Sequence, residues 1–169
     1  TTANTMLQAL FVSNYLLAIM SNEDLNSIDL TTYHNLGGRD YGGSIFRGTK
    51  EYLETHTTYI PFKMIGEIFK KEILFITFDI RDQVMTYKCF DSKESLQLVY
   101  IINWSGNTIL SKIDSQDNIS LNHVSTFYSG NLYNNADRDG KLQSKNYIIK
   151  NQELSLPPYS LTLISDNIE

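Results

Sequence analysis

The spacing of apolar residues changes once along this 169-residue chain, close to Ile73. Before that position apolar residues recur every three or four places, as they do along one face of a helix. After it they alternate with polar residues, as they do in a strand with one buried face. The change divides the sequence into an α/β part, residues 1–72, and a β part, residues 73–169, and predicts an α+β fold.

A first helix is predicted over residues 3–20, where apolar residues have helical spacing. Thr2 or Asn4 could cap it, because a short polar side chain accepts a hydrogen bond from a free amide of the first turn. The helix is apolar around most of its circumference, so we expect it to pack on several sides. The face expected against the β part or against a second helix comprises Leu7, Leu10, Phe11 and Leu17.

A strand, a loop and a second helix are predicted next. Residues 27–34 have the composition of a strand, and the five glycines from Gly37 to Gly48 predict a loop. The loop has neither the lysine of a P-loop nor the spacing of a dinucleotide fingerprint, so phosphate binding is not predicted. A helix is predicted after Pro61, with Phe62, Ile65 and Phe69 on its packed face. One strand cannot form a sheet, so the α/β part needs further strands that this chain does not supply.

The β part is predicted to be an antiparallel sandwich. Seven short runs alternate or are rich in strand formers, and turn residues separate them every 8–12 positions. The predicted strands are 74–80, 84–90, 96–102, 108–113, 119–128, 143–149 and 159–164. The pair Pro157-Pro158 stands just ahead of the last strand, where no amide of the sheet is lost.

Composition excludes several classes of protein. The net charge is −5 and the basic residues are scattered, which argues against binding to nucleic acid. No apolar stretch approaches the length of about 20 residues that spans a bilayer, so no membrane partner is expected. The single cysteine, Cys89, lies in an alternating run and is predicted to be buried. His34, His56 and His123 lack zinc-site spacing, and neither a metal nor a cofactor is expected.

The candidate site residues follow the predicted strand. Tyr33, His34 and Asn35 precede the glycine-rich loop, at the strand's carboxyl end. In barrel folds substrates bind at that edge. The alternative is a structural histidine that bonds loop carbonyls. The only close pair of carboxylates beside a histidine, Glu51 and Glu54, lies on one turn and is interpreted as a solvated face rather than a catalytic pair.

The order of these segments resembles the end of a retaining (β/α)8-barrel glycoside hydrolase, nearest to the α-L-arabinofuranosidase type. The resemblance implies that residues 1–72 are the seventh helix, eighth strand and eighth helix of the barrel, and that residues 73–169 are the sandwich after it. The segments that carry it are Ala9–Leu17, Tyr33–Leu36, Tyr41–Gly43, Pro61–Lys63, Leu98–Asn103 and Leu156–Thr162.

The resemblance also implies a function. The parent protein would hydrolyse pentose-containing plant polysaccharide with retention, and its two catalytic glutamates would precede Thr1. The chain itself is then expected to be inactive, with Tyr33, His34 and Asn35 bordering the sugar. The substrate class implies an extracellular or periplasmic location. A sandwich strand that comes from before the barrel would be absent, and the missing barrel would leave apolar surface through which the chain can associate.

A second interpretation makes the β part a non-catalytic sugar-binding or interaction module. Such a module displays aromatic rings on a platform, since the CH faces of sugars stack on them. The candidates are Trp104, Phe127, Tyr128 and Tyr133, all in or beside predicted turns. In the glycosidase interpretation, by contrast, Trp104 covers the end of the sandwich and the sandwich alone binds no sugar.

Overall fold

The computed structural model describes residues 4–22, 37–38, 44–49, 52–113, 121–136, 139, 142–150 and 153–166. Within these residues the chain is a mixed α+β structure built on a six-stranded antiparallel sheet. Its elements are α1 (Met6–Ser21), β1 (Gly37–Gly38), β2 (Phe46–Thr49), β3 (Tyr52–Thr55), α2 (Tyr59–Ile65), a 3-10 helix (Gly66–Lys70), β4 (Phe75–Arg81), β5 (Val84–Phe90), β6 (Leu96–Asn103), β7 (Ile109–Lys112), β8 (His123–Tyr128), β9 (Gln143–Ile148), β10 (Glu153–Leu156) and β11 (Ser160–Ser165).

The first helix begins at a variant of the capping box, in which the Gln8 side chain accepts from the amide just before the N-cap residue Thr5. Gln8 N donates to Thr5 Oγ1 at 3.4 Å, and Asn4 N donates to Gln8 Oε1 at 2.7 Å. This reciprocal pair satisfies amides that would otherwise lack a partner at the helix start. The cap is therefore Thr5 and not the predicted Asn4, while Thr2 lies outside the described residues.

The main sheet has the strand order β4-β5-β6-β11-β8-β9, with every neighbour antiparallel. Its last strand in sequence, β11, lies in the centre between β6 and β8, and all six of its residues are buried. The alternation of apolar residues along these strands places one set on each face of the sheet. Two separate cores result.

The helices cover one face of the sheet. We call this face of the sheet the helix face. Met6, Leu10 and Leu17 of α1 and Ile65 of α2 pack against it. Two tyrosines tie helices to strands: Tyr87 Oη donates to Asn14 Oδ1 at 2.8 Å, and Tyr100 Oη donates to the Met64 carbonyl at 2.8 Å. The sheet residues buried here are Tyr87, Cys89, Leu98, Tyr100, Ile102, Phe127, Leu161 and Leu163.

A two-stranded sheet of β7 and β10 covers the opposite face. This strand face is apolar, and its core comprises Val99, Ile101, Leu121, Val124, Leu154, Leu156 and Ile164. The Asn103 side chain joins β6 to the second sheet, because its Nδ2 donates to the carbonyls of Leu156 on β10 and of Pro157 at 3.4 and 2.8 Å. The predicted α+β fold with an antiparallel sheet is therefore confirmed, while the sandwich stays a prediction for residues 73–169 as a whole.

Some predicted elements differ from the structure. The glycine-rich region contains the strands β1 and β2 where a loop was expected, and β10 was not predicted. Phe11 and Phe69, both assigned to packed faces, are exposed. The predicted strand 27–34 lies outside the described residues, and the boundary between residues 72 and 73 stays a prediction.

The described helices include none with the length and apolar character needed to cross a membrane.

Candidate functional site

The predicted site residues Tyr33, His34 and Asn35 lie outside the described residues. The backbone just beyond them is described, and there β1 pairs in parallel with β2. β2 in turn pairs antiparallel with β3, which ends one residue before His56. That Tyr33, His34 and Asn35 border a sugar therefore stays a prediction. The structure does describe the segments that come after them in the chain.

Six buried polar side chains meet where this region reaches the helices. We call them the polar junction; they are Asn4, Thr5, Ser44, His56, Thr57 and Thr58. Buried polar groups are retained where hydrogen bonds satisfy them, so the bonds of the junction define its role. The sequence did not predict that these residues form a group, because some of them, such as Asn4 and Thr57, lie far apart in the chain.

Ser44 and His56 are in direct contact. His56 Nδ1 lies 3.1 Å from the Ser44 carbonyl oxygen and 3.2 Å from Ser44 Oγ. A carbonyl oxygen can only accept, so this geometry assigns the ring proton to Nδ1. Thr58 Oγ1 donates to the same carbonyl at 2.8 Å. The buried His56 Nε2 has no hydrogen-bond partner within the described parts of the chain.

This pair is not arranged for nucleophilic catalysis. A general base must accept the proton of the serine hydroxyl, whereas Nδ1 of His56 donates to the Ser44 carbonyl. Ser44 is also only 1% exposed, so a substrate could not reach its hydroxyl. The contact instead fixes Ser44, within the glycine-rich segment, against the residues just before α2.

The rest of the junction anchors the start of α1 to the residues just before α2 and to the segment between β8 and β9. Thr57 N donates to Asn4 Oδ1 at 2.9 Å, and Thr57 Oγ1 donates to the Thr5 carbonyl at 3.3 Å. On its other side, Asn4 accepts from Ala136 N at 3.1 Å through its carbonyl. The junction therefore links the segment after the predicted site to the helices and, through them, to the sheet.

Glu54, Asp79 and Asp82 are exposed carboxylates on strands or in a turn. Asp79 is exposed and pairs with Arg81 at 3.0 Å, while Asp82 has a φ of 54° in the turn between β4 and β5. Glu54 is exposed on β3, in agreement with its interpretation as part of a solvated face, and Glu51 lies outside the described residues. In the part of the chain that the structure describes, no three potential metal ligands come together.

The aromatic residues considered for sugar stacking do not share a surface. Phe127 is buried in the helix-face core, whereas Tyr128, the next residue along β8, points to the opposite face. Tyr133 is exposed in a turn. Trp104 packs partly buried against the helix-face core, and its Nε1 has no partner among the described residues. The geometry therefore provides no platform from these four rings.

Burial also changes the acidity of three groups in the helix-face core. It raises the pKa of Cys89 and of Tyr87 to about 12. The pKa of Tyr100 is raised further, mainly by burial and also by the nearby Cys89 and Glu67. Cys89 is buried as predicted, and because thiolates are the reactive form, its thiol is unreactive at neutral pH.

No protein-family model and no curated protein matches this sequence. Among solved structures, it is similar to the arabinose-bound α-L-arabinofuranosidase MgGH51, with a TM-score of 0.68 and 12% identity over 98% of this chain and 28% of that chain. It is also similar to the catalytic domain of GH30 xylanase C from Talaromyces cellulolyticus, with a TM-score of 0.60 and 14% identity over 93% of this chain and 34% of the other. The GH51 α-L-arabinofuranosidase from Thermotoga petrophila RKU-1 gives a TM-score of 0.60 and 10% identity over 92% and 37% of the two chains.

The similarity extends over nearly all of this chain but only about a third of each neighbour. At such low identity it shows a shared fold. The fold is that of part of a glycoside hydrolase structure, and neighbours of two families, GH30 and GH51, share it.

Proposed function

We propose that this chain is the carboxyl-terminal region of a glycoside hydrolase that acts on plant-type polysaccharide, and that its sandwich braces the catalytic barrel. The fold shared with GH30 and GH51 enzymes, over a third of their length, supports the general class. The finer elements of the proposal are a pentose-containing substrate and retention through a covalent glycosyl-enzyme. The catalytic carboxylates belong to the barrel and not to the described residues.

The observation that carries the proposal is the surface of α1. This helix is apolar almost all round, and such helices normally pack on several sides. Here one side packs on the sheet, while Phe11, Tyr15 and Ala18 form an exposed stripe at positions i, i+4 and i+7. Burying that stripe against the rest of a barrel would contribute roughly 25 cal/mol for each Å² of apolar surface removed from water.

A second surface fits the same proposal. A groove runs beside β7 on the strand face, over the apolar floor of Val99, Ile101 and Ile164. Among the described strands β7 pairs with β10 alone, so its other edge is open toward the groove. A strand from the rest of the protein would extend the narrow second sheet and cover this floor.

The polar junction has a role in this proposal. Tyr33, His34 and Asn35 would border the bound sugar at the mouth of the barrel. The junction would hold the segment that follows them, because Ser44, His56 and Thr58 are bonded to one another and Thr57 is bonded to the start of α1.

The α1 surface gives a direct test. In the chain alone, Phe11→Glu should leave the melting temperature nearly unchanged, because Phe11 is 63% exposed. In the protein made from the complete reading frame, the same change should lower both stability and hydrolysis of xylan and aryl arabinofuranoside, because a charge would then be buried. Tyr133→Glu is the matched control, since Tyr133 is also 63% exposed but is not part of the exposed stripe of α1.

The experiment can fail in two distinct ways. A complete protein without glycosidase activity would overturn the proposed class. An active complete protein that tolerates Phe11→Glu as well as Tyr133→Glu would overturn the bracing role of α1 while leaving the class in place.

Trp104 separates the proposal from a non-catalytic sugar-binding module. We expect Trp104→Ala to lower the free energy of unfolding by about 3 kcal/mol, because a large ring packed on the core is lost. Calorimetry with arabinoxylan should detect no binding to the unmodified chain. Micromolar binding that Trp104→Ala abolishes without any loss of stability would favour the binding module.

A further inference from the structure

The strand β4 forms one edge of the main sheet and is unusually exposed. Every residue of β4 except Ile76 is exposed, including Phe75, Phe78 and Ile80. Among the described strands β4 pairs with β5 alone, so one row of its backbone amides and carbonyls has no strand partner. An exposed apolar edge of this kind is a template for pairing with another strand.

The opposite edge of the same sheet differs. There β9 contains Gln143, Ser144, Lys145 and Asn146, all exposed, and the Lys145 ammonium lies 5.1 Å from the centre of the Tyr147 ring. Lysines and other polar side chains on an edge strand discourage pairing with a further strand. The sequence thus protects one edge and leaves the other open.

The sequence of β4 is complementary to itself. In the antiparallel register with Phe78 opposite Phe78 of a second copy, all seven residues pair. Ile76 then lies opposite Ile80, Thr77 opposite Asp79, and Phe75 opposite Arg81. Apolar residues meet on one face, and no like charges oppose each other, which is the arrangement that stabilises cross-strand pairs.

The neighbouring symmetric registers of the β4–β4 pair give less favourable cross-strand pairs. Centring the pair on Asp79 would place two carboxylates directly opposite each other, which is destabilising. Centring it on Thr77 would leave Ile80 and Arg81 beyond the end of the partner strand. Self-complementarity in one register is what a two-fold interface requires, because the same surface serves both subunits.

We propose that β4 binds β4 of a second copy of this chain in the register centred on Phe78, which joins two six-stranded sheets into one. The proposal rests on the exposed edge and the residue pattern of β4, and not on the proposed glycosidase function. The pairing uses no residue of the α1 stripe, but Thr77, Phe78, Asp79 and Arg81 of β4 also line the groove beside β7.

Two matched variants test the interaction surface. Ile80 on β4 and Ile148 on β9 are 51% and 53% exposed, on opposite edge strands. By sedimentation velocity the unmodified chain should be dimeric at micromolar concentration. Ile80→Lys should raise the dissociation constant at least about tenfold, because a charge enters the paired edge, and Ile148→Lys should leave it unchanged.

Cysteine pairs test the register. Thr77→Cys and Asp79→Cys proteins, mixed and oxidised, should form a mixed disulfide, because opposed residues have Cα atoms about 4.5–5.5 Å apart. Either variant oxidised alone should not, since two residues of the same number would lie about 8 Å apart. The native Cys89 is fully buried and does not compete.

Each result decides the proposal. A dimer weakened by Ile80→Lys, together with the mixed disulfide, supports it. A monomeric chain, a dimer weakened equally by Ile148→Lys, or a disulfide formed by Asp79→Cys alone would overturn it. Both cysteine substitutions are at surface positions of β4, so a folded variant is expected, and circular dichroism verifies this before oxidation.

Discussion

The two faces of the main sheet are both apolar, but they are covered in different ways. On the helix face, two tyrosine hydroxyl groups donate hydrogen bonds to α1 and α2. These directional bonds, together with apolar contacts, fix the orientation of the helices on the sheet. On the strand face, β7 and β10 pack on a floor of aliphatic residues and leave a groove along one flank. The core of the helix face is therefore covered by the helices, whereas the strand face has room for another strand.

The largest expected effect compares one leucine from each face. Leu98→Ala should lower the free energy of unfolding by about 4 kcal/mol, because Leu98 is completely buried beneath the helices and the cavity cannot collapse. Leu156→Ala should cost about 2 kcal/mol, since β10 lies beside open space and can settle. Urea denaturation of both variants measures the difference, and equal losses would contradict the comparison.

A smaller effect tests the directional bonds of the helix face. Tyr100→Phe removes the hydrogen bond to the Met64 carbonyl and should cost about 1.5 kcal/mol, near the upper end for one hydrogen bond. Tyr147→Phe is the control on the strand face, where the phenol bonds the Ser155 carbonyl at 3.3 Å in an exposed position. We expect less than about 0.5 kcal/mol for the control, as is usual at the surface. If Tyr147→Phe lowered the free energy of unfolding as much as Tyr100→Phe, the hydrogen bonds of the two faces would contribute equally to stability.

The smallest effect is the loss of stability expected between pH 9 and pH 10, which begins at the helix face. Burial raises the pKa of Cys89 from 9.0 to about 12, so the unfolded chain loses this proton at lower pH than the folded chain. The stabilisation is complete below pH 9 and is lost as the pH rises toward 12, at up to about 1.4 kcal/mol per pH unit for each group. Tyr87, whose pKa rises from 10.0 to about 12, and Tyr100, whose pKa is raised further, add to the loss, mainly above pH 10.

Between pH 9 and pH 10 we therefore expect a fall of about 1 kcal/mol in the free energy of unfolding, measured by urea denaturation at each pH. Cys89→Ala should flatten the curve in that interval while leaving the fall above pH 10. A variant that retains the full fall between pH 9 and pH 10 would exclude Cys89 as its source.

Local patterns predicted the long strands well. The residues 84–90 were predicted as a strand and form β5, because their alternation matches the two faces of the sheet. The four-residue β10 was not predicted, since its partner β7 lies some forty residues earlier and only that pairing defines it. The exposure of Phe11 was likewise hidden, because spacing predicts a helix but does not say how many of its sides are covered.

The candidate site was harder to predict from the sequence than the strands were. Tyr33, His34 and Asn35 were chosen from their place after a predicted strand, and they stay a prediction. The polar junction was missed because its bonds connect residues such as Asn4 and Thr57, which no local pattern relates. One signal was available: Thr5 and Gln8 have the spacing of a capping box, which would have placed the start of α1 and the residues around it.

The central position of β11 has a consequence for how the protein is made. Strands β4, β5 and β6 can pair as soon as they are synthesised, and so can β8 and β9. These two groups share no neighbour until Ser160–Ser165 has been translated and inserted between them. Because domains in cells begin to fold from the amino terminus during synthesis, each nascent chain exposes the inner edges of β6 and β8 until β11 arrives. Termination before β11 would leave two half-sheets open to aggregation.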